Sequence, residues 1–302
     1  MKQILYTYII ISCCFFTSLF SVPHVSSYPY ITSDTFRQFC TFVLDEDSCF
    51  DPVQVKKGDT LFIKPDFFHV FFQKYHPFIQ HPYVLISHDS DLSVPGNYKQ
   101  YLDDEKIFVW LARNVDYNHP KLIHIPIGFN GQLYENGNIK SISRAIQKFA
   151  NNKHPKKLLY LNFGITHQER RIVFSLFSQC SFCTMTTNPK NTNNNAGKKL
   201  GNYLIDIAHH KFTLSPRGNG LDCHRTWEAL IMGSYPIVRT TTLDPLYKDL
   251  PVVIVNNYTE VTQEFLQTKY EEMKNKPYKL EKLYAPYWFN LIANYQEQAR
   301  KG

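Results

Sequence analysis

Twelve consecutive residues, Arg217 to Glu228 (RGNGLDCHRTWE), hold two arginines, two glycines, a histidine and a glutamate. Guanidinium forks match phosphate oxygens bidentately, so Arg217 and Arg225 make a pyrophosphate the natural guest of this stretch. Gly218 and Gly220 permit either positive φ or a close approach of backbone to a neighbour. Glu228 follows Arg225 by three residues, on the same helix face, where it can accept hydrogen bonds from ribose hydroxyls or brace the arginine. The plainer alternative is a surface Arg–Glu pair over an ordinary turn. Cys223 and His224 are adjacent, but neighbouring helix positions point about 100° apart, which disfavours a nucleophile–base pair. His224 reads as a packing or ligand contact. The stretch lacks GK[ST], so it is no P-loop, and "GNGLDC" does not fit GxGxxG.

A second polar cluster closes an apolar run in "LISHDSD". Its His88, Asp89 and Asp91 sit at a strand's carboxyl end, which in open α/β sheets faces the ligand crevice. These are acid–base groups, although Asp and Ser after a strand also commonly cap the following turn. Gly128, after "IHIPI", ends another strand and is placed beside the same cleft. Asn114, Asp116 and His119 belong to a polar loop near it, without an assigned role.

The elements that must position these residues alternate along the chain. "TLFIK", "YVLIS", "IFVWLA" and "LIHIPIGF" read as short buried strands, with "DFFHVFFQKY" as a helix between the first two. The rhythm restarts after Pro155: strand "KLLYLNF", helix "HQERRIVFSLFSQ", strand "FCTMTT", helix "LGNYLIDIAHH", strand "KFTLSP". Pro216 ends that last strand, and Asp222 is placed as the N-cap of a helix through "CHRTWEALIM" that Gly233 closes. Strands "YPIVRT" and "VVIV" follow. Apolar strands alternating with helices predict parallel sheets in an α/β protein. The polar segment 136–157 is the candidate link between two units, and the aromatic helix "YAPYWFNLIANYQEQ" is free to pack back on the first. The predicted organisation is residues 1–27 as a targeting segment, 28–153 as an amino-terminal unit and 154–302 as a carboxyl-terminal unit. The Asn-rich tract 186–199 reads as a surface loop.

With 302 residues, 43% hydrophobic and 15% aromatic, the chain can bury a large core or two modest ones. Its net charge of +7, from 33 basic against 26 acidic residues, is spread without a basic block, which argues against a nucleic-acid surface. Residues 4–22 carry no charge and follow Lys2, as in a cleaved signal peptide or a type II membrane anchor. Export through an oxidising lumen makes Cys40 and Cys49 candidate disulfide partners, and the sequon at Asn257 agrees with secretion. Cys180 and Cys183 have half-site spacing with nothing to complete a metal site, so they read as packing.

The run "SPRGNGLDCHRTWEALIMGSYPIV", continuing through "LDPLYKDLPVVIV", resembles the carboxyl-terminal motif of exostosin-type glycosyltransferases. Weaker likeness extends upstream through "KPDFFHVFF", "YVLISHDSD" and "RNVDYNHPKLIHIPIGF". The resemblance implies a GT-B arrangement, two Rossmann-like units with parallel sheets facing a cleft, and an enzyme of the secretory pathway in the Golgi or ER lumen. It implies transfer of a sugar from a nucleoside diphosphate sugar, UDP-sugar foremost, to a glycan or glycoprotein acceptor by inverting displacement. No cofactor, metal or nucleic-acid partner is implied, and the amino-terminal stretch leaves membrane anchorage open as the alternative to cleavage. Carried over, Arg217 and Arg225 hold the donor diphosphate and Glu228 the ribose, with Gly218, Gly220 and His224 in the donor site. Asp91 or His88 would then be the base and Asp89 an orienting group for a sugar hydroxyl. The reading from another class is a sugar- or nucleotide-binding module that kept the fold without turnover.

Overall fold

The computed structural model describes residues 24–132, 134, 137–150, 156–187 and 198–302. The predicted targeting stretch 4–22 and most of the Asn-rich tract lie outside the described residues. Among those described, no helix is long and apolar enough to cross a membrane.

Two five-stranded, wholly parallel sheets form the α/β architecture. The first contains β1 (Phe42–Leu44), β2 (Thr60–Ile63), β3 (Tyr83–Ser87), β4 (Ile107–Ala112) and β5 (Leu122–His124). Its strands lie in chain order, 1-2-3-4-5. The Rossmann-like expectation is therefore corrected for this unit: its crossovers all step the same way, and the sheet has no reversal of strand order. The second contains β6 (Lys157–Leu161), β7 (Cys183–Met185), β8 (His210–Leu214), β9 (Tyr235–Arg239) and β10 (Val253–Val255). Its spatial order is β7-β6-β8-β9-β10. Here the order reverses between β6 and β8, the topological switch point at which doubly wound sheets bind ligands.

Helices complete the layers: α1 (Ser33–Phe39), α2 (Ile139–Ala150), α3 (Gln168–Phe177), α4 (Leu200–Ala208), α5 (His224–Ile231), α6 (Gln263–Met273) and α7 (Ala285–Lys301). The polar stretch expected as a link contains α2, because Ile139, Ile142, Ile146 and Phe149 recur at helical spacing. Its Ile142 and Ala145 are buried in one cluster with Leu200, Tyr203 and Leu204 of α4. Helix α7 lies against β3, β4 and α1. Ile292 is fully buried there and Phe289 stacks on Phe39 at 4.3 Å.

"DFFHVFFQKY" is not one regular helix. A 3-10 turn (Pro65–Phe67), one α turn (Phe68–Val70) and a π turn (Phe71–Tyr75) succeed one another. The wider π turn keeps Phe71, Phe72 and Tyr75 all in the core, where Phe72 stacks on Tyr101 at 4.0 Å. Cys40 is a free thiol donating to the Phe36 carbonyl, so the expected Cys40–Cys49 bridge is not formed. Between Cys40 and Cys49 the chain forms strand β1, paired with β2. Cys180 and Cys183 are free thiols on one tight turn, and burial pushes the Cys183 thiol up to about 12.

Candidate active site between the two sheets

The loop Ser215–Cys223 leaves β8 at the switch point and enters α5. Pro216 and Gly218 are buried, and neither Gly218 nor Gly220 has positive φ. Close approach is what requires glycine here. A Cβ at Gly218 would lie 2.8 Å from Arg170 Nη2, and one at Gly220 would lie 2.8 Å from Asn114 Nδ2. Cys223, rather than Asp222, is the N-cap of α5, and its side chain makes no cap hydrogen bond. Gly233 closes the helix with φ +69°, and Ser234 N–H reaches the Ala229 carbonyl, as a Schellman turn requires.

Asp222 is instead a buried tie between the units. Its Oδ2 accepts from Ile127 N–H (2.8 Å) and Trp227 Nε1 (2.9 Å). Its Oδ1 accepts from Cys223 N–H (2.9 Å) and Tyr247 Oη (3.2 Å). Burial raises this carboxyl from its ordinary value, against the Ile127, Trp227 and Cys223 donors and the Arg113 charge.

A cavity of about 550 Å³ opens between the sheets. Asp89, Asp91 and Arg113 line it from the first unit; Arg170, His224, Arg225 and Glu228 line it from the second. Arg225 is 5% exposed, donates Nε to the Asn162 carbonyl at 2.7 Å, and leaves Nη1 buried without a partner. Arg170 is also 5% exposed and donates to the carbonyls of Arg217 and Gly164 and to Thr166 Oγ1. Both guanidiniums lie over the Phe163 ring, at 5.9 Å for Arg170 and 5.3 Å for Arg225. Neither has a carboxylate within ion-pairing distance among the described residues, and burial together with the Arg225 charge lowers the Arg170 pKa. Two buried, mutually repelling cations held only by neutral acceptors are costly to an empty protein and complementary to an anion.

Glu228 does not neutralise them. Burial pushes its carboxyl up to about 7 despite the Arg225 charge, and Tyr203 Oη donates to it at 2.9 Å. His224 donates Nδ1–H to the Gly128 carbonyl at 2.8 Å, leaving Nε2 as the acceptor nitrogen. Burial and the Arg113 charge hold it down to about 4, so it is neutral at neutral pH. Gly128 has φ +65°, and a Cβ there would collide with the Ile31 carbonyl oxygen.

On the first unit, Asp91 is exposed and takes Arg113 Nη2 at 2.8 Å on Oδ1. Asp89 has φ +66° and lies 3.9 Å from Lys64 Nζ, with burial raising its carboxyl. His88 is buried with both nitrogens committed. Nε2–H donates to the Pro126 carbonyl at 3.0 Å, and Nδ1 accepts from Asp89 N–H at 2.8 Å. Burial and Arg113 hold it down to about 3, so it has no free lone pair to offer as a base.

Arg217 stands apart from the other expected donor residues. Its side chain folds onto the carbonyls of Gly218 and Asn219, and it faces Glu169 and Arg239 rather than the large cavity. Arg170 and Arg113 take places beside Arg225 that the sequence did not signal by motif. One available signal was position. Arg170 is in the first turn of α3, as Arg225 is in the first turn of α5, where the helix dipole disfavours a cation.

Fold and site together define a class of two-unit parallel α/β protein with an arginine-lined cavity at a strand-order reversal. Residues 143–292 match the family model of the RXYLT1 C-terminal domain. The glycosyltransferase resemblance read from the sequence stands at the level of family. The match includes Arg170 and Arg217 to Glu228, and begins after Asp91 and Arg113. No curated protein matches the sequence at a significant level. Among solved structures the chain is similar to the GtfA/B complex, with TM-score 0.43 and 13% identity over 83% of this chain and 59% of that one. It is also similar to the pneumococcal O-GlcNAc transferase GtfA in complex with UDP and GlcNAc, with TM-score 0.33 and 10% identity over 82% and 56%. The chain thus spans less than two thirds of the length of either.

Proposed function

We propose that the protein is a glycosyltransferase moving a sugar from a nucleoside diphosphate sugar, UDP-sugar foremost, to a glycan or glycoprotein acceptor. The observation that carries this reading is the pair Arg170 and Arg225, buried at the switch point without carboxylate partners. A diphosphate supplies the missing anion, aided by the free N–H groups at the start of α5. Glu228 faces the ribose, and neutral His224 offers Nε2 to a donor hydroxyl. Asp91, with Oδ2 free of Arg113, takes the proton of the acceptor hydroxyl. The acceptor oxygen then bonds to the anomeric carbon as the carbon–oxygen bond to the diphosphate breaks, with inversion. Stabilising the leaving diphosphate is the main contribution of the arginines.

The same cations fill the electrostatic role of a metal, so the proposed reaction needs none. Turnover should persist in excess EDTA after dialysis; loss restored by manganese or magnesium would overturn that part. The amino-terminal stretch makes the secretory pathway the proposed compartment. A panel of nucleotide sugars assayed for diphosphate release and labelled product tests the whole reading. One observation favours a binding module instead. The Arg113 charge on Asp91 weakens it as a base, and His88, with both nitrogens committed, offers none. Tight donor binding without product across the panel would select that module.

A further inference from the structure

We infer that Asn114 is a positioning residue that fixes the loop carrying Asp91 against the loop that holds the donor. It rests in part on the donor reading above. Asn114 lies two residues beyond the end of β4, is 1% exposed and has φ +55°, in the left-handed region that asparagine tolerates better than most residues. Its amide faces two loops from different units. Nδ2 donates to the Ser90 carbonyl at 3.1 Å, between Asp89 and Asp91. Oδ1 accepts from Asp222 N–H at 2.9 Å, the residue that ties Ile127, Trp227 and Tyr247 together.

The preceding residue acts in the same sense, because Arg113 holds the Asp91 carboxylate itself. Gly220 leaves the amide its space, since a Cβ there would come within 2.8 Å of Nδ2 and 3.1 Å of Asp91 Oδ1. One planar group that both donates and accepts, on a backbone with positive φ, is what this junction needs; aspartate lacks the donor and alanine lacks both. The spacing between Asp91 and the cations of the second unit is therefore set by a side chain that touches neither substrate.

Two variants perturb the bridge from opposite sides. Asn114→Gly removes the amide and keeps the left-handed backbone comfortable. Gly220→Ala pushes the amide aside. Each is assayed for UDP affinity by calorimetry, for turnover with the best donor and acceptor of the panel, and for amide exchange of residues 88–92. Turnover should fall about ten- to hundredfold, the scale of a misplacement of about an ångström near the chemistry. UDP affinity of Asn114→Gly should stay within about twofold of the parent value, and exchange at 88–92 should accelerate in both variants. The double variant should be little worse than the weaker single one, because both break one bridge. Unchanged exchange in both variants overturns the inference. So does a parallel fall of turnover, UDP affinity and unfolding midpoint, which would make Asn114 a general structural residue. Should the parent protein neither bind UDP nor transfer sugar, the glycosyltransferase reading fails, and exchange alone then decides the bridge.

Discussion

Arg225→Ala should lower affinity for a nucleoside diphosphate without lowering the stability of the free protein. Arg225 makes one hydrogen bond, to the Asn162 carbonyl, and rests on Phe163. Losing these costs about 1–3 kcal/mol together. Against that, a guanidinium that is 5% exposed, with no carboxylate in range and Arg170 repelling it, is relieved of a desolvation penalty of several kcal/mol. Glu228 does not become an orphan charge in the variant. Its carboxyl already stands near 7, and removing the Arg225 charge moves it further up, so it stays neutral. The two sides nearly cancel, and the unfolding midpoint should hold within about 3 °C or rise. A diphosphate, by contrast, loses a charge-assisted contact of about 1.5–3 kcal/mol, a drop of about 10- to 150-fold in affinity. Calorimetry with UDP and thermal unfolding of the free protein, run on the same preparation, read both quantities. A large loss of stability with unchanged UDP affinity would refute the reasoning and make Arg225 a structural residue.

Arg217→Ala should leave UDP affinity within about twofold, because its guanidinium is spent on loop carbonyls outside the cavity; a tenfold loss would return it to the donor site. Glu228 has an unfolded value of 4.5 and a folded value of about 7, so the folded state holds its proton more tightly. Its contribution is fully present below pH 4.5 and is lost as pH rises through about 7, on the order of 3 kcal/mol. Glu228→Gln should flatten that fall in urea unfolding curves taken from pH 4.5 to 7.5; an unaltered pH slope would show that Glu228 ionises freely. Asp91→Asn should lower turnover by about 10²–10⁴ with UDP affinity kept, while His88→Gln should act on stability by breaking its bonds to Pro126 and Asp89. Full loss of turnover in a stable His88→Gln protein would reverse those two assignments.

Strands were the most legible part of the chain. "YVLIS" and "IFVWLA" coincide with β3 and β4, because strands buried on both faces write themselves as unbroken apolar runs. The three-residue β1 was lost in its acidic surroundings, and the pairing that makes it a strand comes from β2, a tertiary fact. Strand order was not legible either. Nothing in the local pattern distinguishes the sequential first sheet from the reversed second one, since both read as short apolar strands with polar connections. At the site, the loop Arg217–Asp222 and the cluster at Asp89–Asp91 were found from residue type and strand ends. Arg170 was passed over because "HQERR" reads as an ordinary polar helix start, and its burial depends on Phe163 and the 216–218 loop closing over it. Arg217 was overvalued for the converse reason: sequence gives the charge but not the direction of the side chain.

The return of α7 to β3 and β4 bears on how the protein is made. Trp288 and Ile292 of that helix belong to the same apolar cluster as Leu85, Trp110 and Leu111 of the first sheet. During synthesis the strands of that sheet leave the ribosome early, yet part of their cover is encoded some two hundred residues later. Domains generally complete folding in order of emergence, but here the first unit stays open on one face until the second has been made. In that interval an apolar sheet surface is available to chaperones or to another nascent chain. Ribosome-bound chains arrested just before Ala285 should accordingly be the most aggregation-prone of a truncation series, and those reaching Lys301 the least.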